Sequence, residues 1–239
     1  MRNLVLIIGL YILPALAEET LKYTVYFWKI PCVDITMTIN DDTLSDHQTI
    51  NFTTRTRDIL SYFFSVDNFY KTEYDPETFQ LLKYEKKIRQ SNVDQKLKIE
   101  WNEENNSFQS GKINYKREGI THNIFTLFMR GRSMTFDSLD AKWWKLDHEG
   151  QLFNSRYIWI DSVEVNIDGD KYLTDHYRLD LIPSDNEPTQ LVEKTDIFTW
   201  GIVLDDCVRQ IWIERGEKKR ILRAEVKVSG FKLTAELKK

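Results

Sequence analysis

The sequence predicts an all-β protein, mainly antiparallel: a single curved sheet, open barrel or sandwich of about ten or eleven strands with one short helix. Three observations carry this. The first is the closing stretch. Leu222, Ala224, Val226 and Val228 alternate with Arg223, Glu225 and Lys227, and after Ser229-Gly230 the pattern resumes with Phe231, Leu233, Ala235 and Leu237. Successive strand side chains point to opposite faces, so this is a hairpin with one apolar and one charged face. A two-residue loop at Ser229-Gly230 sets Val228 opposite Phe231 and keeps both apolar sets on one side. The second is Asp168-Gly169, a hairpin-turn pair between Val163, Val165, Ile167 and Tyr172. The third is a series of short alternating runs separated by turn residues, with helical spacing only near residue 124.

Taken in order, Leu21, Tyr23, Val25 and Phe27 alternate with Lys22, Thr24, Tyr26 and Trp28, a strand whose second face is also partly aromatic. Ile30-Pro31 interrupts it, as suits a sheet edge or bulge. Ile35, Met37 and Ile39 make a second strand ending in the turn cluster Asn40-Asp41-Asp42, and Ile50 and Phe52 mark a third. Residues 60–74 form a long aromatic strand with Leu60, Tyr62, Phe64 and Val66 on one face, closed by the turn Asp75-Pro76-Glu77. Residues 79–89 and 93–101 pair as a hairpin, with Val93, Leu97, Ile99 and Trp101 sharing a face. Residues 112–117 make a short strand. Ile124, Leu127 and Phe128 fall at helical spacing; Asn123 is the expected N-cap and Gly131 the expected stop. Residues 156–167 and 177–181 are strands, and 191–204 reads as one more before the closing meander.

Residues 1–17 read as a cleavable export signal ahead of a single β domain at 18–239. Arg2 precedes the apolar run from Leu4 to Leu13, which is short for a membrane span, and Ala15-Leu16-Ala17 is a small-x-small cleavage pattern before Glu18. The expected location is therefore periplasmic or secreted. Losing Arg2 with the leader leaves the chain more acidic than its formal net charge of −4, so net charge offers no attraction to nucleic acid or anionic membranes. No later stretch reads as a transmembrane helix. The two cysteines, Cys32 and Cys207, could form one disulfide in an oxidising compartment; the alternative is two buried thiols at apolar strand positions.

The order of these motifs resembles that of an exported bacterial family, the domain-of-unknown-function 3108 family. The likeness rests on residues 21–31 (LKYTVYFWKIP), on the 60–74 strand followed by 75–79 (DPETF), and on 123–130 (NIFTLFMR). It closes with Ile211-Trp212-Ile213, Arg220-Ile221-Leu222, Gly230 and Leu237. It departs at Cys32-Val33-Asp34. The resemblance implies an antiparallel β fold like the open barrels of periplasmic lipoprotein carriers, and brings no catalytic residues.

The side chains that carry chemistry are sparse in pattern. His47, His122, His148 and His176 have no metal-site spacing, and there is no nucleophile elbow, phosphate loop or paired-cysteine motif. The acid pair Asp168/Asp170 is explained by a turn and Asp205-Asp206 by a strand entry. No enzyme, metal or cofactor is expected. The main functional reading is a binding or carrier module for a lipid or other apolar ligand. Its cavity would be lined by Tyr62, Phe64, Trp101, Val226, Phe231 and Leu233. The helix with Ile124 and Phe128 would be the plug, and Arg130 either a helix-end charge or an anion contact at the mouth. The alternatives are an envelope assembly or interaction factor with a filled core and an exposed aromatic patch, and a carbohydrate binder using Trp143 and Trp144.

Overall fold

The computed structural model describes residues 17–41, 46–57, 60, 64–91, 93–184, 188–194, 196–228 and 230–239. Among them, fifteen strands lie in one large, mostly antiparallel sheet that is not closed. The first half is a meander: β1 (Ala17–Phe27), β2 (Ile30–Asp41), β3 (Gln48–Thr56), β4 (Val66–Tyr74), β5 (Leu81–Gln90), β6 (Val93–Asn102), β7 (Ser107–Ser110) and β8 (Ile113–Lys116). The chain then crosses to the far edge through β9 (Thr121–His122), α1 (Ile124–Ser133) and α2 (Phe136–Leu139). It returns as β10 (Trp143–His148), β11 (Gln151–Ile167) and β12 (Asp170–Pro183), then α3 (Ile197–Val203), β13 (Val208–Glu214), β14 (Ile221–Val228) and β15 (Phe231–Leu237). The last strand pairs antiparallel with the first, so β1 and β15 join the two meanders, and β8 and β9 are the sheet's edges. Among the described strands only the short β9–β10 ladder is parallel.

The alternation of the closing hairpin has its expected register: Val228 faces Phe231, Val226 faces Leu233 and Ala224 faces Ala235. The same inner face continues onto the first strand, where Leu237, Ala235 and Leu233 lie beside Tyr23, Val25 and Phe27. Asp168 and Gly169 turn between β11 and β12 with φ of +50° and +92°, the left-handed pair that an Asp-Gly turn supplies. The sheet holds more strands than the sequence spacing counted. The brief β7 and β9 near its edges are too short to show an alternation of their own, whereas β8 lies where the short strand at 112–117 was expected.

α1 is the plug. Asn123 caps it by accepting from the Thr126 backbone at 2.9 Å, and the Thr126 hydroxyl accepts in return from the Asn123 backbone. Phe125 packs among Phe52, Tyr70 and Tyr84 with ring centroids 5.1, 5.5 and 6.3 Å away, while the Tyr157 hydroxyl donates to the Leu127 carbonyl at 2.9 Å. One turn of helix thus touches both meanders. The helix does not stop at Gly131, as the sequence suggested, but runs to Ser133. Gly131 is inside because a Cβ there would meet the Tyr157 hydroxyl at 3.0 Å; it is a close-packing glycine, not a cap.

Two other expectations are corrected. Residues 191–204 do not form a strand: Asp196 accepts from the backbones of Phe198 and Thr199, both at 3.0 Å, and starts α3. Nor does the aromatic strand begin at Leu60. The Phe64 N–H donates to the Leu60 carbonyl at 3.0 Å, a helical bond that a strand cannot make, and β4 begins at Val66, whose N–H bonds the Thr56 hydroxyl. Truncating the plug at Phe125→Ala is expected to cost about 3–5 kcal/mol, because a buried aromatic leaves a large void. Thermal unfolding should show a Tm lowered by on the order of 10 °C.

Candidate functional site

The interior holds one large apolar cluster and two networks of buried polar side chains committed to one another. Lys86 on β5 is fully buried and forms ion pairs with Glu149 and, at 3.5 Å, with Asp196. Asp196 also accepts from the Tyr70 hydroxyl and the Thr199 hydroxyl, both at 2.7 Å. Burial alone would raise the Asp196 carboxyl, but Lys86 and these donors outweigh it and hold the pKa below its usual value. Beside this network Arg117 donates to Asp147 at 2.8 Å and to the Gly150 carbonyl at 2.7 Å. Both networks converge on the turn from Asp147 to Gly150, which β10 and β11 push against the other half of the sheet. Gly150 has φ +94°, and a Cβ there would lie 2.1 Å from the Thr189 carbonyl, so the turn accepts no other residue without backbone movement. Every member is held by a partner, which suits a structural staple. Among the described residues no group of three or more His, Cys, Asp or Glu is arranged to hold a metal.

Arg130, in the last turn of α1, is half-buried and engaged with its neighbours. It donates to His122 Nε2 at 2.9 Å and to the Thr78 carbonyl, and its guanidinium lies 5.0 Å from the Phe79 ring and 5.5 Å from that of Trp144. His122 Nδ1 contacts the Lys145 carbonyl at 3.0 Å. The pair fastens α1 to the loop before β5 and to β10. Burial first, then the neighbouring guanidinium, push the His122 imidazole down to about 4.

The remaining sequence-chosen residues do not gather round one cavity. Ile124 is buried, Phe128 half-buried, and Trp101 packs 4.9 Å from Phe108 near the β8 edge. Tyr62 lies outside the described residues. Phe64 is exposed on the loop before β4, and α3 lies against β14, the strand of Val226. Phe231 and Leu233 are 58% and 39% exposed. Two clefts, about 190 and 160 Å³, are lined by other residues on the sheet surface. Trp143 and Trp144 cannot form a coplanar platform, because adjacent strand residues face opposite ways. Trp143 lies under Arg156 at 4.4 Å, and Trp144 packs edge-on to Tyr157. Cys32 and Cys207 are free buried thiols, donating to the Val25 and Gly201 carbonyls at 3.2 and 2.8 Å. The strand order sets β1, β15 and β14 between theirs. At sheet spacing that is roughly 19 Å along the sheet, beyond disulfide reach.

What the fold does bring together is an aromatic rim. At one end of the sheet the tips of the β1–β2 and β14–β15 hairpins stand side by side, because Phe27 pairs with Leu233. Phe27 stacks on Phe231 with centroids 6.0 Å apart, and Trp28 adjoins Phe27 at 6.4 Å. Trp28 is 68% exposed and Ile30 57%. The β2–β3 ladder ends at Val33 and Thr56, so the loop bearing Phe64 leaves from the same end. Trp28 and Lys29 take φ of +50° and +74°, a two-residue left-handed turn usually given to Asn-Gly. The sequence reading assigned Trp28 to a strand face. The legible signal was a two-residue gap between alternating runs, hidden because neither residue is a turn former.

Two outcomes are expected. Replacing Trp28-Lys29 with Asn-Gly should raise Tm by a few degrees, since left-handed conformation costs a non-glycine residue about 1 kcal/mol each. For His122, an unfolded imidazole protonates near pH 6.5 and the folded one near 4, so the unfolded chain binds the extra proton between them. Its contribution is complete above pH 6.5 and falls as the pH drops toward 4, by up to about 3 kcal/mol. Denaturant midpoints measured across that window should fall more steeply for wild type than for His122→Gln, which keeps an acceptor for Arg130.

No family profile matches the sequence, and no curated protein matches it. The fold does have a solved counterpart. The crystal structure of a β-barrel-like protein of domain of unknown function 1849 from Brucella abortus matches over 93% of this chain and 95% of its own. The TM-score is 0.55 and the identity 10%. At that identity the likeness shows the β-barrel-like fold alone, and it does not extend to the 3108 family that the sequence motifs resemble.

Proposed function

We propose that this chain is a non-enzymatic, exported interaction module of the cell envelope that works through the outside of one end of its sheet. The aromatic rim is its contact surface. The observation that carries this reading is the contrast between a packed interior and the ring-bearing tips beside it. Tyr70, Tyr157, Phe108, Phe125 and Phe153 are each at most 1% exposed, whereas Trp28, Ile30 and Phe231 are all more than half exposed. Contiguous exposed apolar residues mark contact sites. The export signal read in residues 1–17 supports an envelope location. The carrier reading needs room on the concave face, and there α1 and its neighbours provide side chains instead.

The test is sedimentation with an isolated envelope fraction. Wild type should partition with the envelope, and the double variant Trp28→Ser, Phe231→Ser should stay in the supernatant with an unchanged circular dichroism spectrum. Equal partitioning of the two would overturn the reading. So would a tightly held lipid that native mass spectrometry finds in both proteins, because that would restore the carrier.

A further inference from the structure

We infer that Lys86 and Glu149 condense within the folded chain, so that an amide bond from Lys86 Nζ to Glu149 Cδ joins the two halves of the sheet. The pair is sealed from water. The Lys86 side chain is 0% exposed, that of Glu149 3% and that of Asp196 0%, and Lys86 Nζ is in direct contact with Glu149 Oε1. In every other lysine–carboxylate pair among the described residues the lysine is at least 26% exposed. The neighbouring buried cation, Arg117, keeps its proton and is no nucleophile, whereas a buried lysine gives its proton up readily. The backbone is also shaped to bring the carboxyl there. Glu149 and Gly150 form the two-residue turn between β10 and β11, with φ of +55° and +94°. Left-handed backbone disfavours glutamate, and a hairpin turn ordinarily leaves its carboxylate in water. This turn instead delivers Glu149 to Lys86, and strain of this kind persists where a site uses it. A third group completes the set. Asp196 Oδ2 lies 3.5 Å from Lys86 Nζ and accepts from the Thr199 hydroxyl at 2.7 Å, while Oδ1 accepts from the Tyr70 hydroxyl at 2.7 Å. Burial opposes the charge of this carboxylate, and Lys86, Thr199 and Tyr70 restore it.

The chemistry balances within these three side chains. The Lys86 ammonium passes one proton to the Glu149 carboxylate, which leaves a neutral amine against a neutral acid. Nζ then bonds to Cδ. Asp196 takes a second proton from Nζ and returns it to the departing hydroxyl; the Cδ–O bond breaks and water leaves. Nothing is oxidised or reduced, no co-reactant is consumed, and Asp196 ends as a carboxylate. In bulk water the separate ions are favoured because they are well hydrated. In this interior both charges are costly, and the amide removes both. Contact in a rigid core supplies an effective concentration on the order of 10⁵–10⁸ M. The bond spans 63 residues of sequence and ties β5 to the β10–β11 turn, a cross-link between meanders that Cys32 and Cys207 are too far apart to make.

The experiment is the intact mass of the purified chain in denaturant, followed by tryptic mapping of its ends and its cross-links. Wild type should weigh one water less than the sequence between its mapped ends, and should yield a branched peptide joining Lys86 to Glu149. Lys86→Ala and Glu149→Ala should each return the missing water. Asp196→Asn keeps an acceptor for the start of α3 but no base, and should be recovered with most of its chains unlinked. Wild type at its full sequence mass would overturn the inference, whatever the variants do. A branched peptide joining Lys86 to Asp196 would overturn the choice of Glu149. Asp196→Asn linked as completely as wild type would overturn the role of Asp196 as proton carrier.

Discussion

The antiparallel pairing of the first strand with the last holds this molecule together. β1 and β15 are far apart in sequence, yet Tyr23 to Phe27 lie against Leu237 to Leu233 without a break in register. Without that ladder the chain would be two separate meanders, each with an unpaired hydrogen-bonding edge and an uncovered apolar face. With it, one face runs from β8 through β1 and β15 to β9, and a single plug can serve both halves. α1 does so with one turn, Phe125 reaching Phe52 and Tyr70 in the first meander and the Leu127 carbonyl accepting from Tyr157 in the second. Such long-range closure is slow to form, because its loop entropy must be spent before contacts return it.

The charged interior follows from the same geometry. Lys86 and Arg117 come from the first meander; Glu149 and Asp147 come from the second. An ion pair of this kind is a poor source of stability, since desolvation offsets most of the attraction. It is a good source of register: a half-sheet docked one residue out of place would leave Lys86 buried without Glu149 and Asp196. The networks are therefore best understood as specifying how the two halves meet, while aromatic packing supplies the driving force.

Much of this was legible in the sequence where one periodicity dominated. The closing hairpin alternates without a fault, Asp168-Gly169 is a turn by its own chemistry, and Asn123 announces a helix three residues before Thr126 completes the cap. The failures came where tertiary contacts outvoted local pattern. Residues 197–203 are rich in strand formers, yet Asp196 is held by Lys86 and Tyr70 from another part of the chain, and the cap it offers turns them into helix. Gly131 looked like a stop because glycine usually is one; only Tyr157, from a different strand, explains it. The candidate site was half legible. Phe231 and Leu233 were chosen as cavity lining because alternation shows which face a residue is on, but not how far along that face the plug extends.

That last distinction decides the function. A sheet face is one continuous surface, and its role changes where the cover ends. Over Tyr23, Leu237 and Leu222 it is core, each residue at most 6% exposed. Over Phe27, Leu233 and Phe231 the same face has no cover beyond the rings themselves. Folding alone does not require this. A hairpin can shed apolar residues from its tip at little cost, and an Asn-Gly turn would relieve Trp28 and Lys29 of their left-handed backbone. The tips instead keep Phe27 against both Trp28 and Phe231, with an exposed isoleucine, beside a turn whose conformation opposes its residues. Local strain and exposed apolar surface coincide at one place, and strain of this kind persists where a contact uses it. The physical case for the rim as the working surface is this coincidence, in a molecule whose interior has already been taken by α1.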